Sequence, residues 1–305
     1  MRLRTRLAGA LTCLLAATLT CGIAGNAAVA SAATGASGTG RTSASAAAVE
    51  ARTLGTFDLP VPDAAQLDAV PLPDLGGSTT RAVATGGQTV HFSGWPAVGA
   101  LFNSPLYTSR GELTHTPHGC TGSVVSSPRG NLVMTAAHCV YGKKFLAFVP
   151  GFDDWRMPHG VWYVSQVKVT AGWIRTRAPK QDYAFLEMRP DHGTNIQHYT
   201  GALTPVAASL PATVSVTGYN EVKFDPRGNE PVICRARARW WSPGQERFDC
   251  PNFQTGTSGS PWVLTGTTKA IGVIGGYQQG GRSADRSYSS IFTATTLSLY
   301  HQAGG

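Results

Sequence analysis

The reading turns on Asn131-Leu132-Val133-Met134-Thr135-Ala136-Ala137-His138-Cys139. Asn131–Thr135 is a short apolar run preceded by a turn signal, the pattern of a buried β-strand. It delivers the chain directly to a histidine, and a disulfide at Cys139 would pin the imidazole. Two further stretches suit this one. In Gln181-Asp182-Tyr183-Ala184-Phe185-Leu186 a carboxylate stands at the start of a strongly apolar strand. It is largely desolvated there and needs a partner; an imidazole N–H is a suitable one. In Gly256-Thr257-Ser258-Gly259-Ser260-Pro261 two glycines bracket a serine. Glycines let the chain turn so that backbone N–H groups converge, and those of Gly256 and Ser258 make a candidate oxyanion hole. A hydroxyl is a weak nucleophile near neutrality. It needs a base within hydrogen-bond reach, and the base needs a third group to fix its tautomer. His138, Asp182 and Ser258 supply base, orienter and nucleophile. Each stretch alone has a structural explanation: a histidine beside a cystine, a capping aspartate, a flexible loop. The three together, in this order, point to nucleophilic catalysis.

The flanking sequence repeats the strand pattern. Short apolar or alternating runs recur at Val98–Phe102, Gly122–Val125, Phe145–Val149, Val161–Val169, Tyr183–Met188, Thr213–Thr217, Pro261–Leu264, Ala270–Ile274 and Ser289–Thr293. Turn signals separate them, which predicts an all-β barrel or sandwich. Only Ala294–Gln302 shows helical spacing. Composition agrees: 36 of the 305 residues are glycine and only 14% are charged, which excludes a coiled coil or helical bundle. The net charge of +8 is diluted over a long chain and does not demand nucleic acid.

All seven tryptophans lie at Trp95 or beyond, so the predicted folded domain is 94–305. Residues 1–32 read as a secretory signal: Arg2, Arg4 and Arg6, then an apolar run, then A-x-A sites at Ala28-Val29-Ala30 and Ala30-Ser31-Ala32. Residues 33–93 are Ala/Ser/Thr/Gly-rich and then Pro-rich, which predicts a pro-segment or a disordered low-complexity linker. Export implies a secreted, extracellular protein with no membrane association after signal cleavage, whose body cysteines (Cys120, Cys139, Cys234, Cys250) are oxidised. Four cysteines allow three pairings.

These stretches, with Val98–Phe102 and Cys120–Val125, resemble the trypsin/chymotrypsin-like serine endopeptidases, in particular the bacterial secreted branch that includes glutamyl endopeptidases. The resemblance covers nearly the whole of 94–305. It implies two six-stranded antiparallel β-barrels with the active site between them and a short C-terminal helix. It implies His138 as general base and acid, Asp182 as orienter, Ser258 as nucleophile, and the Gly256 and Ser258 amides as oxyanion hole. It pairs Cys120 with Cys139, leaving Cys234 with Cys250. It implies a polypeptide substrate, a zymogen, a monomer, and neither cofactor nor metal.

The sequence departs from the family at the specificity positions. Asn252 stands at the pocket base, where trypsin-like members carry Asp. Ile274 stands where glutamyl-specific members carry His, with Gly275 and Gly276 continuing the wall. These uncharged groups predict an uncharged side chain before the scissile bond. An arginine reaching in from the Arg235–Arg237–Arg239 stripe would favour an acidic one. Thr257 replaces the Asp that pairs with a new N-terminus in many animal relatives, which argues against that activation switch. Other readings carry less. The loop at Ser258 is not G-x-S-x-G and its base precedes it, unlike an α/β-hydrolase. His115, His118 and Cys120 are expected as two surface histidines and a cystine half rather than a metal site. The arginine stripe would otherwise be a solvated strand face, and Lys143 and Lys144 loop charges. The alternative function is a catalytically silent homologue acting as an extracellular binding module.

Overall fold

The computed structural model describes residues 87–190, 193–207 and 209–305, together with the backbone of strand β1 (Leu54–Asp58). The signal at 1–32 and most of the 33–93 stretch lie outside the described residues. Within that stretch, β1 and β2 (Thr89–His91) are both strands.

Six strands follow: β3 (Val98–Phe102), β4 (Cys120–Val125), β5 (Leu132–Thr135), β6 (Ala147–Pro150), β7 (Trp162–Thr170) and β8 (Ala184–Met188). They pair in the order β7-β6-β3-β4-β5-β8, and β8 returns to β7, so the sheet closes into a barrel. Every residue of β3, β4, β5 and β8 is buried. Covered on both faces, such strands read as continuous apolar runs rather than alternations. The two faces still separate with period two: Leu101 packs with Val124, Val133 and Leu186, whereas Ala100 and Phe102 pack with Val149 and Tyr163. Strand β7 outruns β6. Trp162 and Tyr163 pair with β6, and Gln166–Thr170 pair antiparallel with β1.

The second half of the chain supplies β9 (Thr204–Pro205), β10 (Ala212–Tyr219), β11 (Pro231–Ser242), β12 (Gln245–Asp249), β13 (Pro261–Leu264), β14 (Lys269–Val273) and β15 (Arg286–Ser290). With β2 paired to β11, they form an eight-stranded sheet in the order β15-β12-β11-β10-β13-β14-β9. Its strands β14 and β15 meet through a single bridge, Ile274 to Ser289. The structure thus has one closed six-stranded barrel and a second, eight-stranded sheet that takes on β2 and β9.

Helices are few and short: α1 (Ala137–Val140), α2 (Ala171–Thr176), α3 (Ile196–Thr200) and α4 (Ala294–Gln302). Strand α-to-β balance thus agrees with a mostly β protein. Helix α4 spans the expected residues and opens on a capping box between Thr293 and Thr296. Its Leu299 and Tyr300 pack with Val125, Met134 and Phe185 of the barrel. Disulfides join Cys120 to Cys139 and Cys234 to Cys250, at sequence separations of 19 and 16. Loops of this length are worth about 3 kcal/mol each in the chain-entropy model. Among the described residues, no helix is long and apolar enough to cross a membrane.

One histidine departs from expectation. His115 is exposed and set edge-on to Trp155, but His118 is 3% exposed rather than a surface group. Phe102, Phe152 and Tyr219 surround its ring, and Nε2 lies 3.2 Å from the Gly228 carbonyl, to which it donates. Burial lowers its pKa from 6.5 to about 4, with the backbone hydrogen bond partly opposing the shift. The neutral ring is the one the fold accepts, so the unfolded chain binds a proton more readily than the folded one. Stability from this site is complete above pH 6.5 and falls as the pH drops toward 4. The loss is on the order of 3 kcal/mol. Urea unfolding at stepped pH is expected to show it, and His118→Phe, which removes the titrating group, to flatten it. An equal pH dependence in the variant would contradict this assignment.

Candidate active site

The barrel's own register brings His138 to Asp182. Strands β5 and β8 are antiparallel neighbours with Thr135 opposite Ala184. His138 lies three residues beyond Thr135, in α1, and Asp182 two residues before Ala184, so both emerge at the same end of adjacent strands. The Cys120–Cys139 disulfide ties α1 to β4, and its Cys139 Sγ lies 3.8 Å from His138 Nε2.

Asp182 has no exposed surface. Its Oδ1 accepts from the His138 backbone N–H at 2.9 Å. Its Oδ2 accepts from His138 Nδ1 at 2.8 Å and from the Gly276 N–H at 2.8 Å. With Nδ1–H donating to Asp182, Nε2 is left as the ring's acceptor. Gly275 presses on the same group: a Cβ there would sit 2.9 Å from the Asp182 carbonyl oxygen.

Ser258 is carried by the loop between β12 and β13. Gly256 has φ +101° and Gly259 φ +86°, both in the region that favours glycine. A Cβ at Gly256 would also lie 2.6 Å from the Tyr219 carbonyl oxygen, and one at Gly259 would collide with the Thr121 carbonyl. The first barrel clamps this loop through Thr121. The Thr121 N–H donates to the Ser258 carbonyl at 2.7 Å. The Thr121 hydroxyl donates to the Gly256 carbonyl at 3.1 Å and accepts from the Tyr219 N–H at 3.0 Å. The other end is held by Asn220, 1% exposed. Its Oδ1 accepts from the Gln254 N–H at 2.9 Å, and its Nδ2 donates to the Asn252 carbonyl at 3.1 Å. Motif reading found neither Thr121 nor Asn220. Thr121 had one available signal, its place beside Cys120; Asn220 had none.

His138, Ser258 and Ile274 line one cleft of about 560 Å³. The other residues expected in the substrate pocket fall elsewhere. Gly275 and Gly276 contact Asp182. Asn252 is exposed at φ +60°, and its carbonyl anchors Asn220. Lys143, Glu221, Arg282 and Arg286 contribute charge to the cleft. Cys120, His138 and Cys139 have donor atoms within 4.8 Å of one another. Both sulfurs are committed to the disulfide, so no thiolate is left there to hold a metal.

The family model described as a trypsin-like peptidase domain matches residues 120–273. The chain belongs to that family and is a serine endopeptidase. Solved structures agree on the fold. It is similar to the protease Anisep from Arthrobacter nicotinovorans, with TM-score 0.60 and 20% identity over 71% of this chain and 99% of that one. It is similar to the thermostable serine protease AL20 from an extremophilic microorganism, with TM-score 0.58 and 23% identity over 68% and 97% of the two chains. A Glu endopeptidase matches with TM-score 0.55 and 18% identity over 73% of this chain and 99% of that chain. A search of curated proteins gives no significant match.

Thr121→Val tests the clamp. It leaves the Gly256 carbonyl and the Tyr219 N–H without their hydroxyl partner, at a cost of roughly 1–3 kcal/mol per buried group. The expected outcome is a lower unfolding midpoint and a fall of roughly 10–100-fold in kcat with a smaller change in KM. Thr121→Ser, which keeps the hydroxyl, is expected to recover most of both. Near-normal kcat in a folded Thr121→Val enzyme would remove Thr121 from the positioning of Ser258.

Proposed function

We propose that this chain is a secreted endopeptidase that cleaves polypeptides through a Ser258–His138–Asp182 triad and an acyl-enzyme intermediate. The observation that carries this reading is the buried Asp182 carboxylate on His138 Nδ1, beside a cleft that Ser258 also lines. In this mechanism Ser258 Oγ attacks the scissile carbonyl while His138 Nε2 takes its proton. Asp182 holds the tautomer and stabilises the imidazolium that forms. The tetrahedral oxyanion is received by the Gly256 and Ser258 amides, in a loop whose glycines no other residue type would fit. His138 then returns the proton to the leaving amine, and water, activated by the same base, releases the acyl group.

In this reading the eight-stranded sheet serves as the second barrel of the pair, joined at Ile274–Ser289, with the active site between the two. The chain acts as a monomer outside the cell, without cofactor or metal and without binding nucleic acid or membrane. Residues 1–32 are the removed leader, 33–93 a pro-segment whose cleavage completes a zymogen's maturation, and 94–305 the protease. The two disulfides suit an oxidising compartment.

A serine-directed phosphonate is expected to label Ser258 in the wild-type protein and to leave Ser258→Ala unlabelled. Ser258→Ala is expected to lose about 10⁵-fold or more in kcat, and His138→Ala about as much, because nucleophile and base act as a unit. Near-normal peptide hydrolysis by Ser258→Ala would overturn the mechanism. A folded mature protein, freed of residues 1–93, that neither takes the label nor cleaves any peptide would support the silent binding module.

A further inference from the structure

We infer that Gln245, buried at the start of β12, is a positioning residue of the triad: it fixes the Gly276–Tyr277 segment so that the Gly276 N–H completes the hydrogen bonding of Asp182. The inference rests on the triad reading above and extends it to a side chain that does not touch substrate.

The starting point is the third donor to Asp182. Two of its three N–H partners belong to His138, on the barrel itself. The third, from Gly276, comes from the segment after β14. Gly275 is still tied to β15, its N–H donating to the Tyr288 carbonyl at 2.9 Å. The chain then turns at Gly276 with φ +75°. Backbone in that region stays where its surroundings hold it.

Gln245 supplies the hold. It is 4% exposed. Its Oε1 accepts from the Tyr277 N–H at 2.7 Å, and its Nε2 donates to the Gly244 carbonyl at 3.0 Å. An amide has one accepting end and one donating end, and this orientation meets an N–H with oxygen and a carbonyl with nitrogen. A Cβ on Gly276 would lie 2.3 Å from Oε1, so the glutamine amide fills the side-chain space of Gly276. Two consecutive N–H groups are thus divided between two buried acceptors, that of Gly276 on Asp182 and that of Tyr277 on Gln245.

The same pair of strands reaches Asp182 from behind. Gln245 is paired with Ser290 across β12 and β15. Ser290 is fully buried and donates its hydroxyl to the Pro179 carbonyl at 2.7 Å. Pro179–Gln181 is the short 3₁₀ turn that delivers Asp182, whose own N–H bonds to that carbonyl at 3.3 Å. One cross-strand pair therefore supports both the backbone of Asp182 and the N–H group on its carboxylate. Buried polar side chains need partners, and here the partners are the peptides on either side of the triad carboxylate. Gln245 is not among the residues that line the cleft, so its loss bears on kcat rather than KM.

The test uses the mature protein and its best peptide substrate, with active molecules counted by phosphonate labelling of Ser258. Gln245→Met keeps the length of the side chain and removes both polar ends. The expected result is a folded enzyme whose kcat falls about tenfold or more while KM changes less than about threefold, because small displacements of a catalytic group are costly in rate. The second arm repeats the substitution in the Asp182→Asn background. There it is expected to lower kcat by less than about threefold, since residues that act through one another are not additive. Gln245→Asn, still an amide but one methylene too short to reach Tyr277, carries the same two expectations if Gln245→Met does not fold. A folded, labelled Gln245 variant with near-wild-type kcat would overturn the inference and leave the triad standing. So would an equal fall in both backgrounds, which is what a merely structural role produces. Wild-type protein that takes no label and cleaves no peptide would overturn the triad reading, and this inference with it.

Discussion

A single buried carboxylate joins the two halves of this structure. Asp182 belongs to the barrel, and its two oxygens accept two N–H groups of His138 and one of Gly276, on the far side of the cleft. An ionised carboxylate without solvent is costly unless its lone pairs are met. Here the groups that meet it are a candidate catalytic residue and the strand end after β14. Satisfying the charge therefore also fixes the imidazole's orientation and the position of the cleft's second wall. Glycine at 275 and 276 follows from the same constraint, since a side chain at 275 would press on Asp182 itself.

The nucleophile loop depends on a second crossing between the halves, this time through neutral groups. Thr121 on β4 donates with both its amide and its hydroxyl to carbonyls of the Gly256–Ser258 turn, and accepts from Tyr219 of β10. Barrel, sheet and loop thus share one hydroxyl. A backbone held at positive φ is maintained only where its surroundings fix it, and these bonds, with those of Asn220, are what fix it here.

Where apolar pattern and local geometry coincide, the sequence is enough to read the structure. Val98–Phe102, Pro261–Leu264 and the helix Ala294–Gln302 were legible because each buries a pattern that a few neighbouring residues encode. Of the β11–β12 hairpin, only the alternating arginines of β11 were legible, as a solvated strand face; β12 was not, because it buries the polar Gln245 and Glu246. What makes these residues a strand is pairing with partners far along the chain, which no local window contains. Strand β15 lies at Arg286–Ser290, three residues before the expected run, because Ser287, Ser289 and Ser290 are the residues it buries. Small serines read as turn when their cross-strand partners are unknown. Likewise the order His138, Asp182, Ser258 was visible as chemistry, whereas Asn220 acts through hydrogen bonds to residues more than thirty positions away.

Asp182 thus both fixes His138 beside it on the barrel and holds the second wall through Gly276, and Asp182→Asn addresses this with minimal change in shape. An amide in this place can accept fewer of the three N–H groups and favours the other imidazole tautomer. The decisive measurement is kcat/KM of Asp182→Asn on the best peptide substrate, with thermal unfolding followed in parallel. The expected result is a folded protein slowed by about 10⁴-fold. A folded Asp182→Asn enzyme within about tenfold of wild type would contradict it.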